Sequence, residues 1–243
     1  MEDIALRVGE RGILLGMTRV GKSTLAEYLI ARWREEYEGC HTILFDSKPR
    51  FKAEYELYGV KTAHSRRYAN WDYGVTIPGS VVIPLKNPRA EIAHAWSLGF
   101  DTIIAQVTRR TEILRLDTAM QAAYEDRKKN VPLFFYVDEM NNFFRSARSA
   151  TVGITMAITS GGEKSTAFLG AAQRPRWIGV EAMESMTKLY WFQTPFTEDI
   201  AHLRSMGTPA DAKPPKVKYV FYFFDRLTNI QGNCRINLSG GIS

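Results

Sequence analysis

Two short runs of residues carry chemistry by type and spacing. The first, Gly16-Met17-Thr18-Arg19-Val20-Gly21-Lys22-Ser23, fills the pattern GxxxxGK[ST] completely. At average residue usage this pattern arises by chance in about one chain in a hundred of this length. A short apolar run precedes it and an amphipathic helical pattern follows it, which is the context a phosphate-cradling loop needs. Glycines let the backbone turn its N–H groups onto phosphate oxygens, and the helix N-terminus adds partial positive charge. Lys22 is expected to reach the β- and γ-phosphates of ATP, and the Ser23 hydroxyl to ligate Mg²⁺. Gly16, Thr18, Gly21, Lys22, Ser23 and Thr24 are thus the candidate nucleotide-binding residues. A tight strand-to-helix turn with an incidental lysine is the plain structural alternative.

The second run is Leu133-Phe134-Phe135-Tyr136-Val137-Asp138-Glu139. An apolar strand ending in two acids places both carboxylates at the carboxyl edge of a sheet, where α/β sites form. Asp138 is expected to join Ser23 around the Mg²⁺. Glu139 is the candidate catalytic base that takes a proton from, or orients, the attacking water. An apolar strand ending in acid is common on its own, and its pairing with the glycine-rich loop makes the functional reading the stronger one.

Positioning these groups calls for an α/β fold. The chain alternates short apolar runs with longer segments of helical period. Strands are expected at 13–15, 42–45, 81–84, 133–137, 166–172 and 189–193, and helices at 22–33 and 111–128; 103–107 reads as a strand, with the start of a helix as the alternative. Residues 217–224 and 234–238 read as two strands joined by a turn at 229–233. The runs are continuously apolar rather than alternating, so the sheet should be mostly parallel and buried on both faces, with helices flanking it and antiparallel strands at the C-terminal end. The whole of 1–243 reads as one P-loop NTPase domain, with 197–243 as a strand-rich embellishment.

Three blocks then resemble the FtsK–HerA superfamily of DNA-translocating ATPases, within a RecA-like arrangement. They are Thr42-Ile43-Leu44-Phe45-Asp46-Ser47-Lys48-Pro49, the Asp138-Glu139 pair, and Leu169-Gly170-Ala171-Ala172-Gln173-Arg174-Pro175. The resemblance gives Gln173 the role of sensing the γ-phosphate, which an amide able both to donate and to accept can perform. The sequence departs from the pattern where those motors carry a Gly-Arg block with a trans-acting arginine finger, because Gly161 is followed here by Gly162. Another cation would have to serve: Arg148, Lys164, Arg145 or Arg174. A bare ATPase core of this size is similar to the genome-packaging ATPases of membrane-containing, tailless icosahedral viruses. That likeness implies a homo-oligomeric ring, taken as a hexamer, that moves double-stranded DNA and docks on a capsid or membrane vertex protein. It also implies a place in the host-cell cytoplasm or with the virion.

Composition is compatible with this reading. The chain has 243 residues, 45% hydrophobic and 24% charged, which is ordinary for a globular protein. Its net charge of +6 suits a polyanionic partner. Basic segments able to line a DNA pore are Arg66-Arg67, Arg109-Arg110, Arg127-Lys128-Lys129, and Arg145 with Arg148. Residues 141–164 are a candidate DNA-facing segment, with Phe143 and Phe144 at its start. Two lone cysteines, Cys40 and Cys234, imply neither a disulfide framework nor a zinc site, and the four histidines lack ligand spacing. No run is long and apolar enough for an integral membrane segment, and no secretory leader is expected in residues 1–11. Other functions compatible with the motifs are a conjugation or secretion ATPase, a non-motor P-loop switch or kinase, and a shell protein that uses nucleotide to assemble.

Overall fold

The computed structural model describes residues 4–47, 50–58, 75–107, 112–128, 130–144, 152–159, 165–237 and 241–242. Strand β1 (Arg11–Leu15) leads into helix α1 (Lys22–Glu36), followed by β2 (His41–Asp46), β3 (Phe51–Glu56) and β4 (Val75–Ile83). Helix α2 (Pro88–Ser97), β5 (Thr102–Gln106), α3 (Ile113–Asp126) and β6 (Leu133–Val137) come next. Then follow α4 (Val152–Thr159), β7 (Thr166–Ala172), α5 (Val180–Glu184), β8 (Lys188–Trp191) and α6 (Thr197–Ser205). The C-terminal strands are β9 (Val220–Asp225), β10 (Gln231–Asn237) and the short β11 (Gly241–Ile242).

All eleven strands join one sheet in the order β11-β10-β9-β8-β1-β7-β6-β2-β5-β4-β3. From β8 through β3 every neighbouring pair is parallel, and β8–β9, β9–β10 and β10–β11 are antiparallel. The expected mostly parallel sheet with C-terminal antiparallel strands is therefore the observed one. The segment 197–243 opens with a helix rather than a strand, and its strands extend the main sheet through β8. The turn between β9 and β10 spans 226–230, ahead of the expected 229–233; the Asp225 carboxylate closes it by accepting from the Leu227 N–H at 2.8 Å.

Both faces of the sheet are covered, which explains the continuous apolar runs. One face carries Leu14, Leu44, Phe134, Tyr136 and Leu169 against Leu25, Leu29, Ile30 and Trp33 of α1. The other carries Ile13, Leu15, Phe45, Phe135, Val137 and Phe168 against α2, α3 and α4. Successive residues of each central strand thus enter opposite cores, as a period of two requires. The sequence pattern missed β3, β11 and the helices α2, α4, α5 and α6; β3 is half exposed, and α4 is apolar on most of its short length. Among the described residues no helix is long and apolar enough to cross a membrane.

Helix α4 lies within the segment read as DNA-facing. One face of it is buried, while Val152, Thr155 and Thr159 are exposed. Ile154, Ala157 and Ile158 are buried, as are Phe143 and Phe144 ahead of it. The Ile154 N–H donates to the Asp117 carboxylate of α3 at 2.8 Å. Gly153 permits this closeness, since a Cβ there would stand 2.1 Å from the Asp117 carbonyl oxygen and 2.7 Å from the Gln121 nitrogen, both backbone atoms. Arg127, read as a pore candidate, donates to the Thr166 hydroxyl at 2.9 Å at the amino end of β7. Burial lowers its pKa from the usual arginine value. It braces the end of the sheet opposite the phosphate loop. Replacing Gly153 with Ala should force α4 from α3 and destabilise the fold by about 1–3 kcal/mol. Urea unfolding followed by circular dichroism measures this as a lowered midpoint; an unchanged midpoint would show that the two helices separate without penalty.

Candidate nucleotide site

The site forms where β1, β7 and β6 end side by side. Leu15 is level with Ala172, and Val137 with Gly170, so the residues that follow each strand meet at one edge. The loop after β1 is anchored at its start: Gly16 N–H donates to Ala172 O at 3.2 Å and Met17 N–H to Gln193 O at 3.0 Å. Gly16 takes a φ of 143° and lies against β8, where a Cβ would approach Phe192 Cβ to 2.8 Å. Gly21 takes a φ of 113°, and a Cβ there would meet Tyr219 at 3.0 Å. The two motif glycines are thus required both by their backbone conformation and by close packing on strands that lie far along the chain.

Gly21 is the N-cap residue of α1, and no side chain caps that end; the first turn holds no acid. The first-turn amides of a helix have no partner within the helix, and with its dipole they make an anion site. Lys22 folds over the loop and donates from Nζ to Gly16 O at 2.6 Å and to Met17 O at 2.7 Å. Thr18 is exposed on the loop, while Ser23 and Thr24 are half-buried in the first turn of α1.

On the neighbouring strands, Asp138 accepts a hydrogen bond at Oδ2 from the Ser47 hydroxyl. Its backbone N–H donates to Phe45 O at 2.9 Å, tying the end of β6 to β2. Glu139 adopts a left-handed backbone, φ 49° and ψ 46°. Such a conformation costs a residue with a side chain about 1–2 kcal/mol and persists only where the surroundings impose it. Met140 imposes it here by burying its side chain completely beneath Gly170 of β7, where a Cβ would lie 2.4 Å from Met140 Sδ. The turn presents the Glu139 carboxylate to Gln173, whose Nε2 donates to Glu139 Oε1 at 2.7 Å. Tyr136, fully buried next to this cluster, has its pKa pushed well up, first by loss of solvent and then by Asp138 and Asp46, so it is not a proton acceptor.

The residue after Gln173 also has a fixed place. Arg174 donates from Nε to the Asp199 carboxylate at 2.8 Å, and its guanidinium carbon lies 3.6 Å from the Phe196 ring centroid. Asp199 is wholly buried. Of the cations considered as arginine fingers, Arg174 is therefore committed within its own chain. Arg148, Lys164 and Arg145 lie outside the described residues, as do Gly161 and Gly162 and the basic residues 66–67, 109–110 and 129.

The donor set suits Mg²⁺. The Ser23 hydroxyl and Asp138 carboxylate are hard oxygen ligands, and Mg²⁺ characteristically uses few protein ligands beside water and substrate phosphate. Among the described residues no group of three or more His, Cys, Asp or Glu is placed to hold a metal by itself.

The fold has close counterparts among solved structures. The genome-packaging NTPase B204 of Sulfolobus turreted icosahedral virus 2, in complex with ATP-γS, aligns at a TM-score of 0.65 and 14% identity over 95% of this chain and 98% of that one. This chain has a P-loop NTPase fold. B204, the DNA-packaging ATPase from Sulfolobus turreted icosahedral virus, aligns at 0.62 and 14% identity over 94% of this chain and 98% of that one. The AMP complex of the first protein aligns at 0.62 and 13% over 94% and 98%. The sequence itself matches no protein-family model and no curated protein. At such identities the likeness concerns the P-loop NTPase fold, and it extends over nearly the whole of both chains.

The sequence pattern gave Asp199 and Arg50 no chemical role, and it carried Ser47 and Gly170 only as members of motifs. Their partners are distant in sequence, so local spacing held no signal for them. Replacing Gly170 with Ala should strain the Glu139 turn and lower stability by about 1–3 kcal/mol, and shortening Met140 to Ala in the same chain should recover part of that loss. A double-mutant cycle by urea unfolding reads the coupling; additive losses would break the link between Gly170 and the turn.

Proposed function

We propose that this chain hydrolyses ATP and uses the energy to drive double-stranded DNA into a preformed viral shell, as one P-loop domain working in a homo-oligomeric ring. The observation that carries the hydrolytic part is the Gln173–Glu139 hydrogen bond of 2.7 Å beside the uncapped helix that follows Lys22. A carboxylate and an amide facing a phosphate cradle suit water as the phosphoryl acceptor. B204, which shares the fold at full length, is a genome-packaging NTPase crystallised with ATP-γS. The net charge of +6, multiplied around a ring, suits a DNA backbone that is gripped through its phosphates without base reading.

In this reading the first-turn amides of α1 and the Lys22 ammonium hold the phosphate chain. Lys22 exchanges its two carbonyl contacts for phosphate oxygens. Ser23 and Asp138 would hold Mg²⁺, and the ion would supply charge neutralisation for the triphosphate. Ser47 keeps Asp138 oriented by donating to Oδ2. Glu139 accepts a proton from the water whose oxygen attacks the γ-phosphorus, and the bond to the β–γ bridging oxygen breaks, leaving ADP and phosphate. Without nucleotide Gln173 occupies Glu139 Oε1. An arriving γ-phosphate that draws the amide away would release Oε1 from Gln173, so the two residues act as a sensor and a base in one pair. Arg174, gripped by Asp199, ties that sensor to α6. The ring docks on a capsid or membrane vertex protein, in the host cytoplasm or on the virion.

The decisive experiment is steady-state ATP hydrolysis by the purified chain, with and without double-stranded DNA, across a salt series. Stimulation that fades as salt rises supports a DNA motor. Hydrolysis indifferent to DNA would remove translocation and leave a secretion or assembly ATPase. Two substitutions test the site itself. Lys22→Ala should abolish ATP binding, and retained binding would place the site elsewhere. Glu139→Gln should keep ATP bound while slowing turnover by about 10²–10⁴-fold, the contribution of a positioned general base; turnover at the wild-type rate would reject Glu139.

A further inference from the structure

We propose that Arg50 is a further phosphate-binding residue of the nucleotide site, supplied by the same chain. The inference rests on the ATP-binding reading above and adds a cation to it. Arg50 opens onto β3 from the connection that follows β2. Its backbone is over-determined: the buried Asp46 carboxylate accepts from Arg50 N–H at 2.7 Å and from Phe51 N–H at 2.9 Å, and Arg50 O accepts from Val75 N–H at 3.0 Å. The side chain is aimed at α1. Its Nε donates to Glu27 Oε1 at 2.6 Å, and a terminal nitrogen lies 3.5 Å from the Thr24 hydroxyl.

Thr24 is the residue after Lys22 and Ser23 and lies in the uncapped first turn of α1. The guanidinium therefore lies at the lip of the anion site, with its side chain 31% exposed and open to a ligand. Lys22 and Arg50 bring two cations to the positive end of one helix, an arrangement the helix dipole disfavours. Glu27, one turn into the helix, offsets only part of that charge. An anion seated between the two cations removes the conflict, and a triphosphate is an anion of the required charge. The guanidinium spends Nε on Glu27. One of its terminal nitrogens makes the long hydrogen bond of 3.5 Å to Thr24. Their N–H groups form the planar fork that matches phosphate oxygens.

The same connection reaches the metal side of the site. Ser47, just before it, donates to Asp138, and Arg50, just after it, reaches Thr24. One segment between β2 and β3 thus contacts both the carboxylate strand and the phosphate helix. The plain alternative is a strut, in which Arg50 and Glu27 do no more than pin β3 to α1.

Comparing two substitutions separates the alternatives, because each breaks the same ion pair but only one removes the cation. ATP binding to the full chain is measured by calorimetry for the wild type, Arg50→Gln, Glu27→Gln and Arg50→Lys, with Lys22→Ala as the control for the site. Loss of a charge-assisted phosphate contact in Arg50→Gln should weaken ATP binding about tenfold or more, and Arg50→Lys should recover part of it. Glu27→Gln should bind ATP as the wild type does, or more tightly, while losing apo thermal stability as Arg50→Gln does. Equal weakening in Arg50→Gln and Glu27→Gln, or wild-type affinity in both, would reduce Arg50 to a strut. If Arg50→Gln fails to fold, Arg50→Met, which also removes the cation, against Glu27→Gln gives the same comparison, and equal affinities there overturn the proposal. A wild-type chain that binds no ATP overturns the nucleotide site itself, a failure distinct from that of Arg50.

Discussion

The insertion of β7 between β1 and β6 is the constraint on which the candidate site depends. It sets the end of the glycine-rich loop's strand one step from Gln173 and the acidic strand one step further. Because all three run parallel and in register, their carboxyl ends open onto the same edge, and the helix dipole of α1 meets the carboxylates there. A parallel sheet buried on both faces allows little sliding, since a shift of one residue would move every side chain into the opposite core. The geometry of the site is therefore held by the packing of two hydrophobic cores rather than by the polar groups at the edge.

That packing also explains two small residues. Gly170 leaves room for Met140, and the buried Met140 side chain forces the backbone of Glu139 into a left-handed turn. The strained turn lifts the carboxylate to Gln173 instead of continuing the strand direction. Gly153 does the equivalent for α4 and α3 on the same face. Both are places where the absence of a methyl group is structural information.

The glycine-rich loop and α1 are buttressed by segments distant from them in the chain. Gly21 packs on Tyr219, and Tyr219 N–H donates to Val20 O at 2.8 Å while its own carbonyl accepts from Ile236. The C-terminal strands thus touch the loop directly, although 197–243 reads in sequence as an embellishment. On the opposite flank the β2–β3 connection holds Asp138 through Ser47 and α1 through Arg50. Together with Phe192 and Gln193, which follow β8 and pack on Gly16 and Met17, these two flanks hold α1 and the loop from outside the three central strands.

The sequence by itself determined the glycine-rich loop between strand and helix, the acidic end of β6, the class of fold and most strands to within a residue or two. The reason is local: glycine, lysine and serine at fixed spacing perform one job, and apolar runs bounded by polar residues mark buried strands wherever they fall. The tertiary structure decided the sheet order, the pairing of Gln173 with Glu139, the commitment of Arg174 to Asp199 and the reach of Arg50 to Thr24. Those depend on residues brought together across 34, 25 and 26 positions of chain, and no local pattern reports a partner at that distance. The burial of Phe143, Phe144 and one face of α4 was also decided there, because an aromatic pair next to arginines looks the same in sequence whether it lies at a surface or in a core. Only the competition for apolar contact with α3 and β7 settles which it is.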